Sequence, residues 1–420
     1  MYANRASPFL YGVASKLWDF AWRARDQHFG RTETTGWTGT RLMEKAQVIN
    51  FGRTYLGNGP EHGEFCTRFA EHDIERTRHH LLDDIVFIVI ASVLSGGDSW
   101  NDMEAYGEIK KEWLSSFLEF PNGIPSHDTF NRFFSALDAD VFEACFLSWI
   151  KSIYQRTHGE VVSIDGKTMR GSRNQGCKTA THIVSAWADK NELILGQIKV
   201  EQKSNEITAI PRLLDALLLD GCVITIDAMG CQKNIAKKIV TKKADYILSV
   251  KENQKDLYED IQDSFRILST SDSFQDLDYG HGRIETRKCS IITDLTLVEN
   301  AAKWKGLVSI IKIDRERYFK ATAKKENETS YYISTLNQAV LIAYGVRKHW
   351  GIENKVHWTL DVAFNEDLSR KRKGNAAQNY SNLNRIALNL LKKDEAKVGI
   401  KSRRKMAGWS NDYLLKLISN

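Results

Sequence analysis

Two aspartates each come directly after a short apolar run that is typical of a buried strand. Asp165 follows residues 161–164, and Asp227 follows residues 222–226. Active sites of open α/β sheets form at the carboxyl ends of their strands, so we expect both carboxylates to face one crevice. One aspartate at a strand end is most often a turn former, but two that share a crevice repel each other unless a cation joins them. The pair therefore indicates a metal site.

A third carboxylate, Glu353, lies on a predicted helix that begins near residue 337. Trp350 and His357 share its helical face at positions i−3 and i+4. Carboxylate oxygens favour Mg²⁺ or Mn²⁺ over zinc, and we expect an all-oxygen site without a cysteine or a pair of histidines. Two metal ions held in this way can activate a water or a 3′-hydroxyl and stabilise the leaving oxygen of a phosphodiester. Asp165, Asp227 and Glu353 thus predict metal-assisted chemistry on phosphodiesters.

The elements that must position these acids change character near residue 160. Apolar runs predict strands at 161–165, 182–188, 193–200, 222–226 and 246–250, with amphipathic helices at 206–219 and 234–240. The first three strands are expected to form an antiparallel meander, after which helices alternate with strands. That order is typical of a mixed α/β sheet that is covered on both faces.

A helical pattern precedes the sheet, and a β-rich stretch follows it. Helices are predicted from about residue 65 to 156, as a bundle that resembles a helix-turn-helix or as a helical domain that only packs on its neighbour. Strand patterns return between residues 266 and 336, before the helix that carries Glu353. Residues 1–60 have weak periodicity, with tryptophans among arginines and glycines, and predict no fold.

Positive charge is concentrated at the end of the chain. The whole sequence has a net charge of +6, but residues 370–420 contain thirteen Lys and Arg against three Asp and Glu, which makes this segment +10 and the remainder −4. A basic end on a mildly acidic body indicates a polyanionic partner, with nucleic acid as the first choice. Charge taken alone favours a solvated lysine-rich tail instead.

The composition is that of a globular protein in a reducing compartment. Hydrophobic residues make up 42% of the chain and charged residues 27%, with 5 prolines, which excludes a disordered or fibrous protein. No apolar run approaches the roughly 20 residues needed to span a bilayer, and no secretory signal is visible. The 6 cysteines form no Cys-x-x-Cys pair, which argues against a disulfide scaffold and a zinc finger. We expect a cytoplasmic protein with no membrane partner.

Six segments resemble one family of proteins. They are Ile-Asp-Gly-Lys-Thr at 164–168, Lys-Ser-Asn-Glu-Ile-Thr-Ala-Ile-Pro at 203–211, Thr-Ile-Asp-Ala at 225–228, His-Gly-Arg-Ile-Glu-Thr-Arg at 281–287, His-Trp-Gly-Ile-Glu-Asn-Lys at 349–355 and Leu-Asp-Val-Ala-Phe-Asn-Glu-Asp at 360–367. Together they resemble the H-repeat-associated transposases of bacterial insertion sequences. The resemblance extends from about residue 65 to 391, which is over three quarters of the chain.

The resemblance implies an α/β fold, with a ribonuclease H-like mixed sheet that has a β-rich insertion and is preceded by an α-helical N-terminal domain. It implies a DDE triad in which Asp165, Asp227 and Glu353 are the catalytic residues and bind Mg²⁺ or Mn²⁺. Asp361 and Asp367 are near enough in sequence to compete for the third position, but the family pattern centres on Glu353. The implied domain boundaries are 1–60 for an uncertain N-terminal extension, 61–156 for a helical domain with possible DNA binding, 157–265 for the first part of the core, 266–336 for the insertion, 337–395 for the glutamate-bearing part and 396–420 for a basic C-terminal segment.

The function that the resemblance implies is transposition of an insertion sequence by a bacterial, cytoplasmic enzyme that associates with the nucleoid when bound to DNA. Such an enzyme cuts double-stranded DNA at the terminal inverted repeats of the element and joins the freed 3′-hydroxyl to target DNA, without a covalent protein–DNA intermediate. Pairing two ends requires a homo-oligomer on the DNA. Two other functions stay open, namely an inactive or domesticated copy that only binds DNA and a nuclease that performs hydrolysis only.

The sequence departs from better-known relatives around the glutamate. Those relatives have Tyr-x2-Arg-x3-Glu-x6-Lys, and the equivalent positions here are Val346, His349 and Leu360. We predict that His349, Lys355 or Arg347 makes the corresponding phosphate contacts with DNA.

Other predicted DNA contacts lie on two further segments. Lys167 and Arg170 follow the first acid and are expected either to hold phosphates or to be solvated. Arg283 and Arg287 flank Glu285 on one strand face, which predicts either a DNA-binding face or an internal salt-bridge row.

Overall fold

The computed structural model describes residues 80–155, 157–173, 180–200, 206–280 and 282–419. The predicted extension at 1–60 and the first part of the helical stretch lie outside the described residues. So do residues 203–205 and His281, which belong to two of the family-like segments. In the part of the chain that is described, no helix is both long and apolar enough to cross a membrane.

The described chain begins with a helical layer. Its helices are α1 (Leu82–Leu94), α2 (Trp100–Ile109), α3 (Lys111–Leu114), α4 (His127–Ala136) and α5 (Ala139–Ile153). The starts of α4 and α5 follow ordinary capping rules, since the Ser126 side chain accepts from the Thr129 N–H and the Asp138 side chain from the Val141 N–H. α1 is buried from Asp84 onward because almost all its residues are apolar, so it lies at the centre of this layer.

The next strands form the predicted mixed sheet. They are β1 (Val161–Thr168), β2 (His182–Ala188), β3 (Leu193–Val200), β4 (Val223–Ile226) and β5 (Asp245–Val250), with helices α6 (Glu206–Ala216) and α7 (Lys233–Thr241) between the later strands. β2 is antiparallel to both β1 and β3, whereas β1, β4 and β5 are parallel. The meander and the strand–helix alternation are both confirmed.

The β-rich stretch continues this same sheet. After helix α8 (Lys255–Ile267) come β6 (Asp272–Gly280), β7 (Arg283–Ile292), β8 (Ser309–Phe319) and β9 (Lys324–Ser334). β9 pairs antiparallel with β5, so the described strands form one sheet in the order β3-β2-β1-β4-β5-β9-β8-β7-β6. The apolar pattern does not predict β6, because this strand is mostly polar and exposed at the sheet edge.

The late helix changes geometry at the third acid. α9 (Ala339–Ile352) packs on β1 and is followed by a π-helical turn (Glu353–His357) and then by α10 (Trp358–Phe364). Such wide turns are rare and occur mostly at functional sites. The long helix α11 (Ala376–Lys393) follows and packs on α1, α4 and α5, so it joins the helical layer to the rest of the fold.

The basic C-terminal segment at 396–420 is helical and partly internal. It contains α12 (Ile400–Trp409) and α13 (Asn411–Ser419). The buried Arg404 donates hydrogen bonds to the carbonyls of Val93 and Ala363, and Arg403 donates to the carbonyl of Asp394. Buried carbonyl groups need such donors. Two of the arginines that give this segment its charge therefore stabilise the fold.

Candidate active site

The two aspartates lie at the same edge of the sheet. β1 and β4 are parallel, and their pairing ends at Ile164 and Ile226, which places Asp165 and Asp227 side by side just beyond it. The prediction that the strand ends at Asp165 is wrong, because β1 continues to Thr168 paired with β2. Asp227 Oδ1 accepts hydrogen bonds from the backbone N–H groups of Met229 (3.0 Å) and Gly230 (3.3 Å). These bonds hold the Asp227 carboxylate in one orientation in the loop after β4.

Glu353 reaches this edge because α9 lies close to the sheet. Gly345 is needed for the approach, since a Cβ at this position would come within 2.5 Å of Ile247 Cδ1 on β5. One turn later, His349 Nδ1 is 3.0 Å from the Thr225 hydroxyl of β4. The helix therefore ends over the strand ends, where Glu353 begins the π-helical turn.

The π-helical turn brings a histidine to the acids. His357 Nδ1 lies 3.0 Å from Glu353 Oε2 and 3.4 Å from Asp165 Oδ2. One possible ligand atom from each of Asp165, Glu353 and His357 lies within 4.8 Å of the others, a spacing that a metal ion can bridge. Asp227 lines the same pocket of about 380 Å³, which we call the acid pocket, but is not part of this group. An imidazole thus joins the expected all-oxygen set.

The acids of this pocket repel one another. Burial, followed by the charges of Asp227, Glu206 and Glu353, raises the pKa of Asp165 to about 7. Burial and the charge of Glu206 also raise the pKa of Asp227, while burial lowers the pKa of His357. Among the described residues, no lysine or arginine forms an ion pair with the three triad acids. Two carboxylates and an imidazole fit a divalent cation, which would offset the repulsion.

A fourth acid, Glu206, lies near the triad. Its place at the start of α6 indicates only a helix cap, yet its Oε1 is 2.7 Å from His182 Nε2, and His182 Nδ1 is 2.8 Å from the Thr168 hydroxyl. Gly166 permits this contact, because a Cβ there would collide with the side chains of Glu206 and His182. The signal that could have identified Glu206 is its position within the family-like segment at 203–211.

Three further acids form a separate cluster around Lys167. The buried Lys167 ammonium is 2.7 Å from Asp361 Oδ1, 2.9 Å from Asp367 Oδ1 and 3.8 Å from Glu366 Oε2. Glu366 is also paired with the buried Arg385 at 3.0 Å. Lys167 is therefore not available as the predicted DNA contact, because its charge is already paired inside the protein. Asp361 and Asp367, the competitors for the third metal position, contact this lysine instead.

The other predicted DNA contacts near the triad differ in environment. Arg170 is exposed, with its Nε 3.4 Å from Asp367 Oδ2. His349 lines the acid pocket, but burial lowers its pKa to about 4, so it is neutral and carries no charge for a phosphate. Lys355 Nζ lies 2.6 Å from Glu192 Oε1 on the surface.

Arg283, Arg287 and Arg347 line a second pocket, of about 530 Å³, which we call the arginine pocket. Arg283 and Arg287 lie 3.3 Å and 2.8 Å from the carboxylate of Glu285. The salt-bridge row that the strand pattern predicts as one alternative is therefore present, and it borders an open pocket.

Comparison with known proteins gives related sequences over most of the chain. The family described as "Transposase DDE domain" matches residues 156–390, and the one described as "DDE_Tnp_1-associated" matches residues 68–150. "Putative transposase YncI" of Escherichia coli O157:H7 is 42% identical over 351 residues, which cover 81% of this chain and 90% of that protein. "H repeat-associated putative transposase YhhI" of Escherichia coli strain K12 is 38% identical over 351 residues, which cover 81% of this chain and 93% of that protein. Among solved structures, a piggyBac transposase synaptic complex with hairpin DNA is similar with a TM-score of 0.40 and 12% identity, covering 88% of this chain and 79% of that chain.

Proposed function

The chain belongs to the family of transposases with a DDE domain, and from this premise we propose that it catalyses metal-dependent cleavage and strand transfer of an insertion sequence. In the first step, a water oxygen attacks a phosphorus at the element end, the water loses a proton, and the P–O3′ bond breaks to leave a 3′-hydroxyl. In the second step, that hydroxyl loses its proton and attacks a phosphorus of target DNA, displacing the 3′ oxygen of the neighbouring nucleotide. The observation that carries the proposal is the cluster of Asp165, Glu353 and His357, of which the two acids line one pocket together with Asp227.

The residues of the acid pocket have distinct parts in this proposal. Asp165, Asp227 and Glu353 would hold Mg²⁺ or Mn²⁺, with His357 as an added donor. Such ions, when bound, activate the attacking oxygen and stabilise the leaving oxygen. Backbone N–H groups orient Asp227. Before a metal ion binds, His357 Nδ1 lies within 3.0 Å of Glu353 and 3.4 Å of Asp165, and so holds the π-helical turn close to β1.

The ribonuclease H-like assignment of the sheet is part of the same proposal. It is supported by the antiparallel meander β3-β2-β1, which continues into the parallel strands β4 and β5, and by acids that directly follow the parallel-paired residues of β1 and β4. The domain boundaries given above also belong to this proposal. They include 61–156 as a possible DNA-binding domain and 266–336 as an insertion that lengthens the sheet.

Double-stranded DNA is the proposed partner, both as element ends and as target. Support comes from Arg283, Arg287 and Arg347 in the arginine pocket, and from the exposed Arg170 that follows the first acid on the chain. We propose a homo-oligomer on the DNA, because two element ends have to be held together for transposition.

A strand-transfer assay tests this function. A duplex with the labelled end of the element that encodes this chain is incubated with a plasmid target and Mg²⁺. We expect a joined product with the wild type, and none with Asp165→Asn or Glu353→Gln. The control is Asp215→Asn, an exposed aspartate of α6 that pairs with Lys238 and should leave joining intact. Cleavage without joining would identify a hydrolysis-only nuclease, and a bound but uncut duplex would identify an inactive DNA-binding protein.

A further inference from the structure

The arginine pocket opens between α9 and the strands β6–β8. It contains more arginines than the three that the sequence predicts as DNA contacts. Besides Arg283, Arg287 and Arg347, it is lined by Arg315 and Arg317 of β8. Arg315, Val346 and Trp350 line both this pocket and the acid pocket, so the two are continuous.

One buried carboxylate organises the arginines of the two neighbouring strands. Glu285 of β7 is only 3% exposed. Its oxygens lie 2.8 Å from Arg287 Nη2, 3.2 Å from Arg315 Nε, 3.3 Å from Arg283 Nη2 and 3.8 Å from Arg317 Nε. Each guanidinium has five N–H donors in a rigid plane. A single carboxylate therefore orders these side chains without satisfying their donors or balancing their charge.

The pairing of β7 with β8 places two arginines opposite each other, and their charges repel. Arg287 of β7 is paired directly with Arg315 of β8, and like charges at opposed positions destabilise a sheet. Within the described chain, Arg287 Nη1 and Arg317 Nε are buried and make no hydrogen bond, since the nearest carboxylate oxygens of their ion pairs are 3.7 Å and 3.8 Å away. Buried donors without a partner cost free energy. An anion in the pocket would relieve both the repulsion and the missing hydrogen bonds.

Acids at the rim balance this charge only in part. Asp276 and Glu328 contact Arg347 and Arg315, each at 3.2 Å. Five arginines line the arginine pocket, and their ion pairs involve four acids, Glu285, Asp276, Asp278 and Glu328, so one positive charge is left over. A positive pocket thus lies next to the negative acid pocket.

We propose that the arginine pocket binds a phosphodiester of the DNA strand whose neighbouring phosphate lies in the acid pocket. A phosphodiester has two charged oxygens, which match the paired donors of a guanidinium. Trp350, exposed where the two pockets meet, offers a flat surface for the intervening sugar or base. The inference rests on the proposed function, since it takes the acid pocket as the place where DNA is cut.

Binding without chemistry tests the arginine pocket. A short fluorescent duplex is titrated with the full chain in Ca²⁺ at several salt concentrations, for the wild type and for the double variant Arg315→Gln/Arg317→Gln. Each phosphate contact contributes about 0.9 to the slope of log K against log salt, so the slope should flatten by about one to two and binding should weaken at least about tenfold. Arg266→Gln, an exposed arginine of α8 paired with Asp263, is the control and should change neither quantity.

A second measurement uses the wild-type protein and does not depend on how the variants fold. Phenylglyoxal modifies accessible arginines, and mass spectrometry identifies the modified positions. Saturating duplex should protect Arg283 and Arg347, the most exposed arginines of the pocket, but not Arg266. Equal modification with and without duplex, or an unchanged salt slope in a folded double variant, overturns the proposal. Protection by pyrophosphate but not by duplex also overturns it, because the ligand would then be a free phosphate compound.

These outcomes are separable from those of the strand-transfer assay. If the chain cuts and joins DNA while the double variant keeps the wild-type slope, only the arginine-pocket proposal fails. If slope and protection change as expected but no cleaved or joined product forms, the pocket binds a DNA phosphate and the proposed transposition fails.

Discussion

Two acidic clusters adjoin β1 and differ in how their negative charge is balanced. In the acid pocket, Asp165 lies near Asp227 and Glu353, and among the described residues no lysine or arginine pairs with them. Two residues further along the strand, Lys167 pairs with three carboxylates, and Arg385 pairs with one of these.

The difference separates a structural cluster from a binding site. Residues i and i+2 of a strand project to the same face, so Asp165 and Lys167 point to the same side of β1. The charge of Lys167 is part of the chain, and it fixes β1 against the segment that follows α10. In the acid pocket, Lys251 and Arg315 are part of the lining, but neither forms an ion pair with the triad acids. Acids beside β1 therefore stabilise the fold where the chain supplies their cation, and under the proposed function they hold a metal ion where it does not.

Removing one acid from the acid pocket should have the largest effect. Asp165→Asn, Asp227→Asn and Glu353→Gln should each abolish cleavage in a gel assay while duplex binding in Ca²⁺ changes little. Asp165→Asn should also raise the midpoint of thermal unfolding, because it removes one charge from a buried, repelling set. Loss of cleavage in Asp361→Asn together with retention in Glu353→Gln would instead assign the third position to Asp361.

Removing the cation from the other cluster should affect stability first. Lys167→Met leaves the partly exposed Asp361 and Asp367 without their cation, while the buried Glu366 keeps Arg385, and should lower the free energy of unfolding by about 3 kcal/mol, the lower end of the range for breaking a buried ion pair. Lys238→Met is the control, since it breaks only the exposed pair with Asp215 and should cost no more than about 1 kcal/mol. Urea unfolding measures both. If Lys167→Met and Lys238→Met lower the free energy of unfolding equally, the cluster around Lys167 does not stabilise the fold more than a surface ion pair.

Metal binding is a further test of the difference between the acid pocket and the cluster around Lys167. The purified chain should contain little tightly bound metal and should cleave only after Mg²⁺ or Mn²⁺ is added, because Mg²⁺ keeps several waters and uses substrate phosphates as further ligands. His357→Gln should weaken Mn²⁺ binding, followed by electron paramagnetic resonance, by roughly 10- to 100-fold. Lys238→Met should leave it unchanged. Stoichiometric zinc after purification, or full cleavage in excess chelator, would contradict a site of this kind.

A buried acid outside both clusters separates burial from pairing, and its effect should appear in the pH dependence of stability. Glu143 of α5 has its pKa raised from 4.5 to about 8, mainly by burial. The folded chain binds more protons than the unfolded chain in that window, so this contribution to stability is present below pH 4.5 and is lost as the pH rises towards 8. Glu143→Gln should flatten the dependence by at most ~1.4 kcal/mol per pH unit. The free energy of unfolding is measured by urea unfolding at several pH values. If it has the same pH dependence in the wild type and in Glu143→Gln, the prediction is refuted.

The strand-end acids can be predicted from sequence because their signal is local. An apolar run followed by an aspartate predicts a strand, and parallel pairing then brings Asp165 and Asp227 together, although β1 itself continues to Thr168. His357 can be placed on the helical face of Glu353 from its spacing. Its contact with Asp165 depends on the π-helical turn, which ordinary helical spacing does not encode.

Long-range pairing is what the local patterns miss. Asp367, a partner of Lys167, lies 200 residues later in the chain, so the lysine looks like a free cation beside an acid. Arg404 in the basic segment likewise binds the carbonyl of Val93, 311 residues earlier. β6 is missed for a different reason, since a polar edge strand has no apolar alternation to reveal it.

Deleting residues 268–336 would remove more than the arginine pocket. The deletion would uncover β5, an apolar strand whose backbone groups are paired with β9. An unpaired apolar edge is a template on which another copy of the same chain can add a strand. A chain shortened in this way should therefore tend to associate with its own copies through β5.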